Sequence, residues 1–261
     1  MKLSFTKIVG SGNDFVIIDC RKTLIRGLSV LARKICDRKY GIGADGLLVL
    51  ERSRKADVRM RIFNADGSEA EMCGNGARCL AYYLGKSHTS LDTRAGTIKT
   101  EVKDGVIKIK LTAPKNIKLD IPVRLNRALK VNFINTGVPH TVIFVQGLNN
   151  IDVSNLGRAL RFHKKFAPSG TNVNFVEVVN NNTIRVRTYE RGVEDETLAC
   201  GTGSVASALI FGIKTKVNNK IKVITASGET LNVYFNRLND RFTDVWLEGR
   251  VKLVYKGVYN V

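Results

Sequence analysis

Residues 58–76 read VRMRIFNADGSEAEMCGNG, and residues 184–203 read IRVRTYERGVEDETLACGTG. Each stretch begins with the two-residue alternation of a half-buried strand and enters an acidic turn. Each then reaches Cys-Gly-x-Gly and an Ala- and Leu-rich stretch with helical spacing, residues 76–84 in one case and 203–211 in the other. Upstream, Gly12-Asn13-Asp14-Phe15-Val16 matches Gly137-Val138-Pro139-His140-Thr141 in the same order. Two unrelated strand–turn–helix units could share such features by chance. The order of several paired features favours an internal duplication, with two equivalent motifs around a pseudo-two-fold axis. The junction is expected near residues 113–122, where Pro114 and Pro122 interrupt the pattern.

Working outward, most other segments read as strands. Residues 3–9 and 14–20 flank Gly10-Ser11-Gly12-Asn13, and residues 97–103 and 106–112 flank the hairpin signal Asp104-Gly105. Further strand patterns fall at 46–51, 57–64, 130–135, 141–146, 172–179, 183–190, 221–226, 230–235, 242–247 and 251–255. Helical spacing is predicted at 29–38 and at 154–162, the latter opened by a capping-type serine, Ser154. Strand patterns thus outnumber helical ones.

Hydrophobic residues make up 44% and charged residues 25%, enough to build a core. No run of about 18 apolar residues occurs, and the N-terminus has no signal-peptide pattern, so a cytoplasmic protein without a membrane partner is expected. The formal net charge of +19 is the one feature favouring a polyanionic partner. The basic residues are scattered, however, and no nucleic-acid-binding motif surrounds Arg52-Ser53-Arg54-Lys55 or His163-Lys164-Lys165. A solvated surface is the expectation, with no specific nucleic-acid partner. The five cysteines form neither a dense disulfide pattern nor a Cys-x-x-Cys pair, and there are three histidines, so no metal site is expected.

Chemistry concentrates at Cys73 and Cys200. A thiol at a helix start meets outward-pointing N–H groups and the positive end of the helix dipole, which lower its pKa from about 8.5. The neighbouring N–H groups can bind a carboxylate. Two such thiols suit inversion of a stereocentre: one removes a proton from one face and the other returns a proton to the opposite face. N–H groups aimed at an α-carboxylate would stabilise the developing enolate charge, so no pyridoxal cofactor is required. The alternatives for this pair are buried structural cysteines or a redox disulfide. Cys20, Cys36 and Cys79 lie on apolar patterns and read as core.

These segments resemble diaminopimelate epimerases. The similarity is carried by Gly12-Asn13-Asp14-Phe15, Gly41-Ile42-Gly43-Ala44-Asp45-Gly46, Phe63-Asn64-Ala65-Asp66-Gly67-Ser68, Met72-Cys73-Gly74-Asn75-Gly76-Ala77-Arg78, Asn135-Thr136-Gly137-Val138-Pro139-His140, Thr171-Asn172-Val173-Asn174-Phe175 and Tyr189-Glu190-Arg191-Gly192, leading to Cys200-Gly201-Thr202-Gly203. The resemblance implies an α/β protein of the α+β type with two pseudo-symmetric domains, each a curled, mainly antiparallel sheet or barrel around a central helix, with the active site in the cleft between them. It places the first domain at 1–117 with a returning strand at about 252–261, and the second at 118–251. It implies a homodimer and no cofactor.

Cys73 and Cys200 then correspond to the acid–base thiols, and Gly74, Asn75, Gly201 and Thr202 to the carboxylate cradle. Asn13, Asn64, Asn172, Glu190 and Arg191 correspond to the substrate-binding set, and His140 and Glu190 to groups that tune the thiols. The implied reaction interconverts LL- and meso-diaminopimelate for lysine or cell-wall precursors. Gly46 and Val138 replace the glutamine and asparagine of some members, which loosens the expected substrate selection. A related racemase of another amino acid is the alternative, and a basic nucleic-acid-binding protein the distant one.

Overall fold

A computed structural model describes residues 2–217, 219–238 and 241–260. The chain divides into two units, one running to Lys110 and resuming at Glu248, the other spanning Leu111–Leu247.

The first unit contains β1 (Lys2–Gly10), β2 (Asn13–Asp19), α1 (Leu28–Cys36), β3 (Gly46–Glu51), β4 (Val58–Asn64), β5 (Glu69–Ala70), α2 (Gly74–Leu84), β6 (His88–Thr93), β7 (Gly96–Lys103) and β8 (Val106–Lys110). The second holds β9 (Lys115–Arg124), β10 (Ala128–Asn135), β11 (Pro139–Phe144), α3 (Val153–Arg161), β12 (Asn172–Asn180), β13 (Thr183–Glu190), β14 (Asp195–Thr197), α4 (Gly201–Thr215), β15 (Asn219–Ile224) and β16 (Thr230–Leu238). β17 (Arg241–Arg250) leads out of the second unit, and β18 (Lys252–Asn260) belongs to the first.

In the first unit the strands pair in the order β18–β1–β2–β3–β4–β6–β7–β8, with β5 beside β4. The pairings are antiparallel except β2–β3 and β4–β6, each of which is bridged by a helix, as parallel neighbours require. The second unit repeats this scheme as β9–β10–β11–β12–β13–β15–β16, with β14 beside β13. Its parallel pairs, β11–β12 and β13–β15, fall at the corresponding places. Both sheets are therefore mixed and, among the described pairings, open, the sheet form of the expected sheet or barrel.

Each sheet carries a helix on either face. α2 touches β1–β4, β7 and β8, and α4 touches β10–β13, β15 and β16, so these are the enclosed helices. α4 is buried from Ser204 to Gly212, which explains its apolar composition on every side. α1 and α3 cover the outer faces. Alternate residues of the central strands feed the two cores: Val16, Ile18, Leu47 and Val49 pack with Leu31 and Ile35 of α1, in a core that Leu48 does not join. Strands buried on both faces read as unbroken apolar runs, as in Phe15-Val16-Ile17-Ile18 and Leu47-Leu48-Val49-Leu50.

Three local expectations change. Both enclosed helices begin immediately after their cysteine, so the Gly-x-Gly residues form the first turn instead of preceding it. The cap of α3 is Asp152, whose carboxylate accepts from the Asn155 N–H at 3.0 Å, and not Ser154. Residues 113–122 are largely strand: among the described pairings β9 pairs with β10 alone, so Pro122 fits there because the strand can spare an N–H.

Candidate active site

In the first unit Cys73 is the N-cap of α2. Its extended backbone (φ −140°, ψ 123°) aims the side chain back at the helix, and Sγ accepts from the Gly76 N–H at 3.4 Å. The thiol thus takes the position usually held by a serine or aspartate oxygen, where negative charge is favoured. Asn75, in the first turn and buried, donates from Nδ2 to Asn13 Oδ1 at 2.6 Å. Its Oδ1 accepts from Arg78 Nη2 at 2.5 Å, and the same nitrogen donates to Ser11 Oγ at 2.9 Å. Asn13 in turn donates to Asp45 Oδ2 at 3.1 Å. Two residues of the expected set, Asn13 and Asn75, are therefore in direct contact.

Asn64 is exposed at the end of β4 and donates to Ser68 Oγ at 3.0 Å. It pairs across the sheet with Gly46. A Cβ on Gly46 would stand 2.9 Å from the Phe63 carbonyl oxygen, so this close pairing suits glycine. Beside this region lies a charged network. Asp14 is bound by Lys7 at 2.7 Å and by Arg38 at 2.9 Å, while Lys7 also donates to the Gly43 carbonyl. Burial alone would raise the Asp14 pKa, but these two cations overcome it and hold the carboxyl at about 2.

In the second unit Cys200 is the N-cap of α4 and is 6% exposed. Its Sγ lies 3.6 Å from Thr202 Oγ1. Glu190, at the end of β13, shares hydrogen bonds with Cys200 and with Thr197, whose hydroxyl donates to Oε2 at 3.0 Å. Burial pushes the Glu190 carboxyl up, against the lowering effect of these two partners. The Thr202 carbonyl accepts from Thr136 Oγ1 at 3.1 Å, tying the first turn of α4 to the β10–β11 connection.

Asn172 Oδ1 accepts from the Arg191 N–H at 2.8 Å, and its Nδ2 donates to the Pro139 carbonyl at 2.9 Å. The Arg191 guanidinium donates to the Ser169 carbonyl at 3.1 Å, whereas Glu194, which could have paired with it, is held by Arg161 at 3.0 Å. His140 is fully buried, and burial, with the nearby Arg191 charge, depresses its pKa to about 3. The ring is therefore neutral.

The remaining cysteines have no such setting. Burial pushes the Cys20 and Cys36 thiols up to about 11, which leaves them protonated. Among the described residues no group of three or more His, Cys, Asp or Glu side chains could hold a metal ion, and no helix is long and apolar enough to cross a membrane.

The two cysteines thus stand as N-cap residues at matching points of a repeated topology. The family model described as diaminopimelate epimerase matches residues 5–121 and 132–241. The chain belongs to the diaminopimelate epimerase family. It is 44% identical over 274 residues to a diaminopimelate epimerase of Aquifex aeolicus, covering 98% of this chain and 97% of the relative. It is 43% identical to one of Hydrogenobaculum, covering 98% of each. Among solved structures, a Bacillus anthracis phenazine biosynthesis protein of the PhzF family superposes with a TM-score of 0.78 over the whole of both chains at 16% identity. That likeness extends the fold beyond the epimerase family.

Several residues around the two family motifs escaped the sequence reading. Thr197, which holds Glu190, lies in the acidic turn that the repeat marks, but nothing in its identity sets it apart. Ser11 and Arg78 are buried partners within the first motif. Asn174 is fully buried two residues beyond Asn172, and the two-residue period of a strand was the available signal that both share a face.

Proposed function

We propose that this protein interconverts LL- and meso-2,6-diaminopimelate by two-base proton transfer at the α-carbon, with Cys73 and Cys200 as the acid–base pair. The observation that carries the reading is the equivalent placement of the two cysteines, each the N-cap residue of the enclosed helix of its own unit. In one direction a thiolate takes the α-proton while the other thiol delivers a proton to the opposite face; the thiols exchange roles in the reverse direction. The carbanion formed in passing is stabilised through its carboxylate by the first-turn N–H groups at Gly74, Asn75, Gly201 and Thr202. These fixed donors supply the charge stabilisation that a pyridoxal ring supplies elsewhere, so the reading needs no cofactor and no metal.

Asn13, Asn64, Asn172, Glu190 and Arg191 bind the rest of the substrate. A guanidinium and a carboxylate suit the distal carboxylate and ammonium. The hydrogen bond between Glu190 and Cys200 supports a tuning role for Glu190, and the neutral buried ring of His140 suits a second tuning group. The product would feed lysine or cell-wall precursors in the cytoplasm. The active form is proposed to be a homodimer without a specific nucleic-acid partner.

The glycine at position 46 and the valine at 138 remove polar side chains that touch the distal end in some members of the family, which favours relaxed selection as a second reading. Deuterium uptake at the α-carbon of LL-diaminopimelate in D₂O, with reductant, tests both. Exchange with epimerisation is expected. Exchange only with a smaller amino acid would establish the second reading, and no exchange with any amino acid would remove both.

A further inference from the structure

We propose that Asn174 is a positioning residue that locks His140 as the Nε2-protonated neutral tautomer behind the first turn of α4. The inference rests on the reading that His140 tunes the thiol chemistry, and it adds the residue and the hydrogen-bond polarity that make such tuning specific.

Hydrogen-bond polarity fixes the arrangement. Asn174 is fully buried, and its side-chain nitrogen lies 3.0 Å from the Thr141 carbonyl oxygen. A carbonyl only accepts, so that end of the amide is the NH₂ group. The other end, Oδ1, accepts from Thr188 Oγ1 at 3.0 Å. The second proton of the NH₂ group points to His140 Nδ1 at 3.2 Å, so Nδ1 accepts and carries no proton. A neutral imidazole keeps one proton, which must therefore sit on Nε2. That N–H is buried and, among the described residues, has no hydrogen-bond partner, a costly state that structures seldom retain without a reason.

The pair also abuts the cysteine. A Cβ on Gly203 would stand 2.3 Å from Asn174 Oδ1 and 3.3 Å from Cys200 Sγ. Asn174 therefore occupies the space that a side chain at Gly203 would fill, and only the glycine lets the α4 turn and the amide approach each other. The His140 ring is thus oriented by the same side chain that packs beneath the cysteine's helix. The corresponding position in the first unit offers no such group, since the repeat aligns His140 with Phe15.

Nitrogen-15 NMR of the three histidines distinguishes the tautomers directly and needs no turnover. His140→Gln assigns the buried ring. In the unaltered protein the His140 signals are expected to show a protonated Nε2 and a bare Nδ1. A proton on Nδ1, or a ring exchanging between tautomers, would overturn the proposal. Asn174→Asp replaces the donor by an acceptor and is expected to draw the proton to Nδ1. Asn174→Leu, similar in volume and without polar atoms, is expected to release the ring into a tautomer mixture, and it serves where the aspartate prevents folding. Both are expected to lower kcat by about tenfold or more with little change in KM, the pattern of an interaction made in the transition state. A folded variant that keeps the Nε2–H tautomer would show that Asn174 is packing only. Because the tautomer is read without substrate, failure of the epimerase reading stays separate from failure of this one.

Discussion

The two units share one topology, yet they treat their cysteines differently. Cys73 is half-buried and caps α2 through a backbone N–H, with neutral amides, Asn75 and Asn13, and the Arg78 guanidinium close to the first turn. Cys200 is buried and shares a hydrogen bond with a carboxylate, Glu190. Position 64 in the first repeat, which aligns with Glu190, is the exposed amide Asn64. Position 205, which aligns with Arg78, is Val205. The two units therefore share the scaffold and the N-cap position of the cysteine, while the charged neighbours differ. An inverting enzyme benefits from that division. In the proposed two-thiol reaction the two thiols must hold different protonation states at any moment, and unlike surroundings would supply the bias that identical ones could not.

The comparison breaks most plainly at the cysteines. Cys73→Ser and Cys200→Ser are each expected to lose epimerisation by about 10²–10⁴-fold, the usual contribution of a positioned acid or base. Proton exchange on one isomer alone is expected to survive better than inversion, because exchange needs only one face. A variant that still inverts would show that its cysteine is not a partner in the pair.

Next come the unlike neighbours. Glu190→Gln removes the carboxylate beside Cys200 and is expected to cost about tenfold per pKa unit by which the thiol moves. The raised Glu190 pKa sets the sign: the carboxylate forms as pH rises through that value, so the acid limb of kcat/KM should carry it and should vanish in the glutamine variant. Asn64→Ala should keep that limb and chiefly raise KM. Equal pH profiles for the two variants would erase the proposed asymmetry.

The glycines sharpen the contrast on the scaffold itself. In Gly203→Ala the new methyl meets Asn174 Oδ1 at 2.3 Å, whereas in Gly76→Ala it meets the Leu48 Cδ2 methyl at 3.0 Å. The first is expected to destabilise by about 1–3 kcal/mol as an overpacked site, the second by less, since a leucine terminus can shift. Chemical denaturation of both variants measures the difference.

The smallest effect concerns acid. Asp14 has no counterpart in the second unit, where the repeat places Pro139. Its folded pKa near 2 lies below the ordinary value near 3.9, so it contributes stability that is fully present above pH 4 and fades as pH falls towards 2. That contribution is at most about 2.6 kcal/mol, and less with solvent screening. Hydrogen exchange in β1 and β2 should quicken in this window more than in β10 and β11. Asp14→Asn should abolish the difference.

Much of this was legible in the sequence because strand alternation and the Cys-Gly-x-Gly repeat are local signals. The alternation of Val58-Arg59-Met60-Arg61 gave β4, and the repeat gave the matched placement of α2 and α4. Non-local facts were not legible. Nothing local shows that Asn75 reaches Asn13, or that Thr197 reaches Glu190, because those contacts depend on how separate strands lie beside each other. The cap of α3 was misplaced by two residues because serine and aspartate both suit that role and spacing alone does not rank them. Pro122 read as a break because sequence does not say which strand is an edge.

β18 pairs with β1 along Lys2–Val9, joining the start of the fold to residues that follow the whole second unit. During synthesis, the unit that holds Cys73 must wait with an unfilled strand position while every residue of the Cys200 unit leaves the ribosome. The half translated second can therefore finish folding first. A chain that stopped at Arg250 would carry an intact latter half attached to an unfinished earlier one.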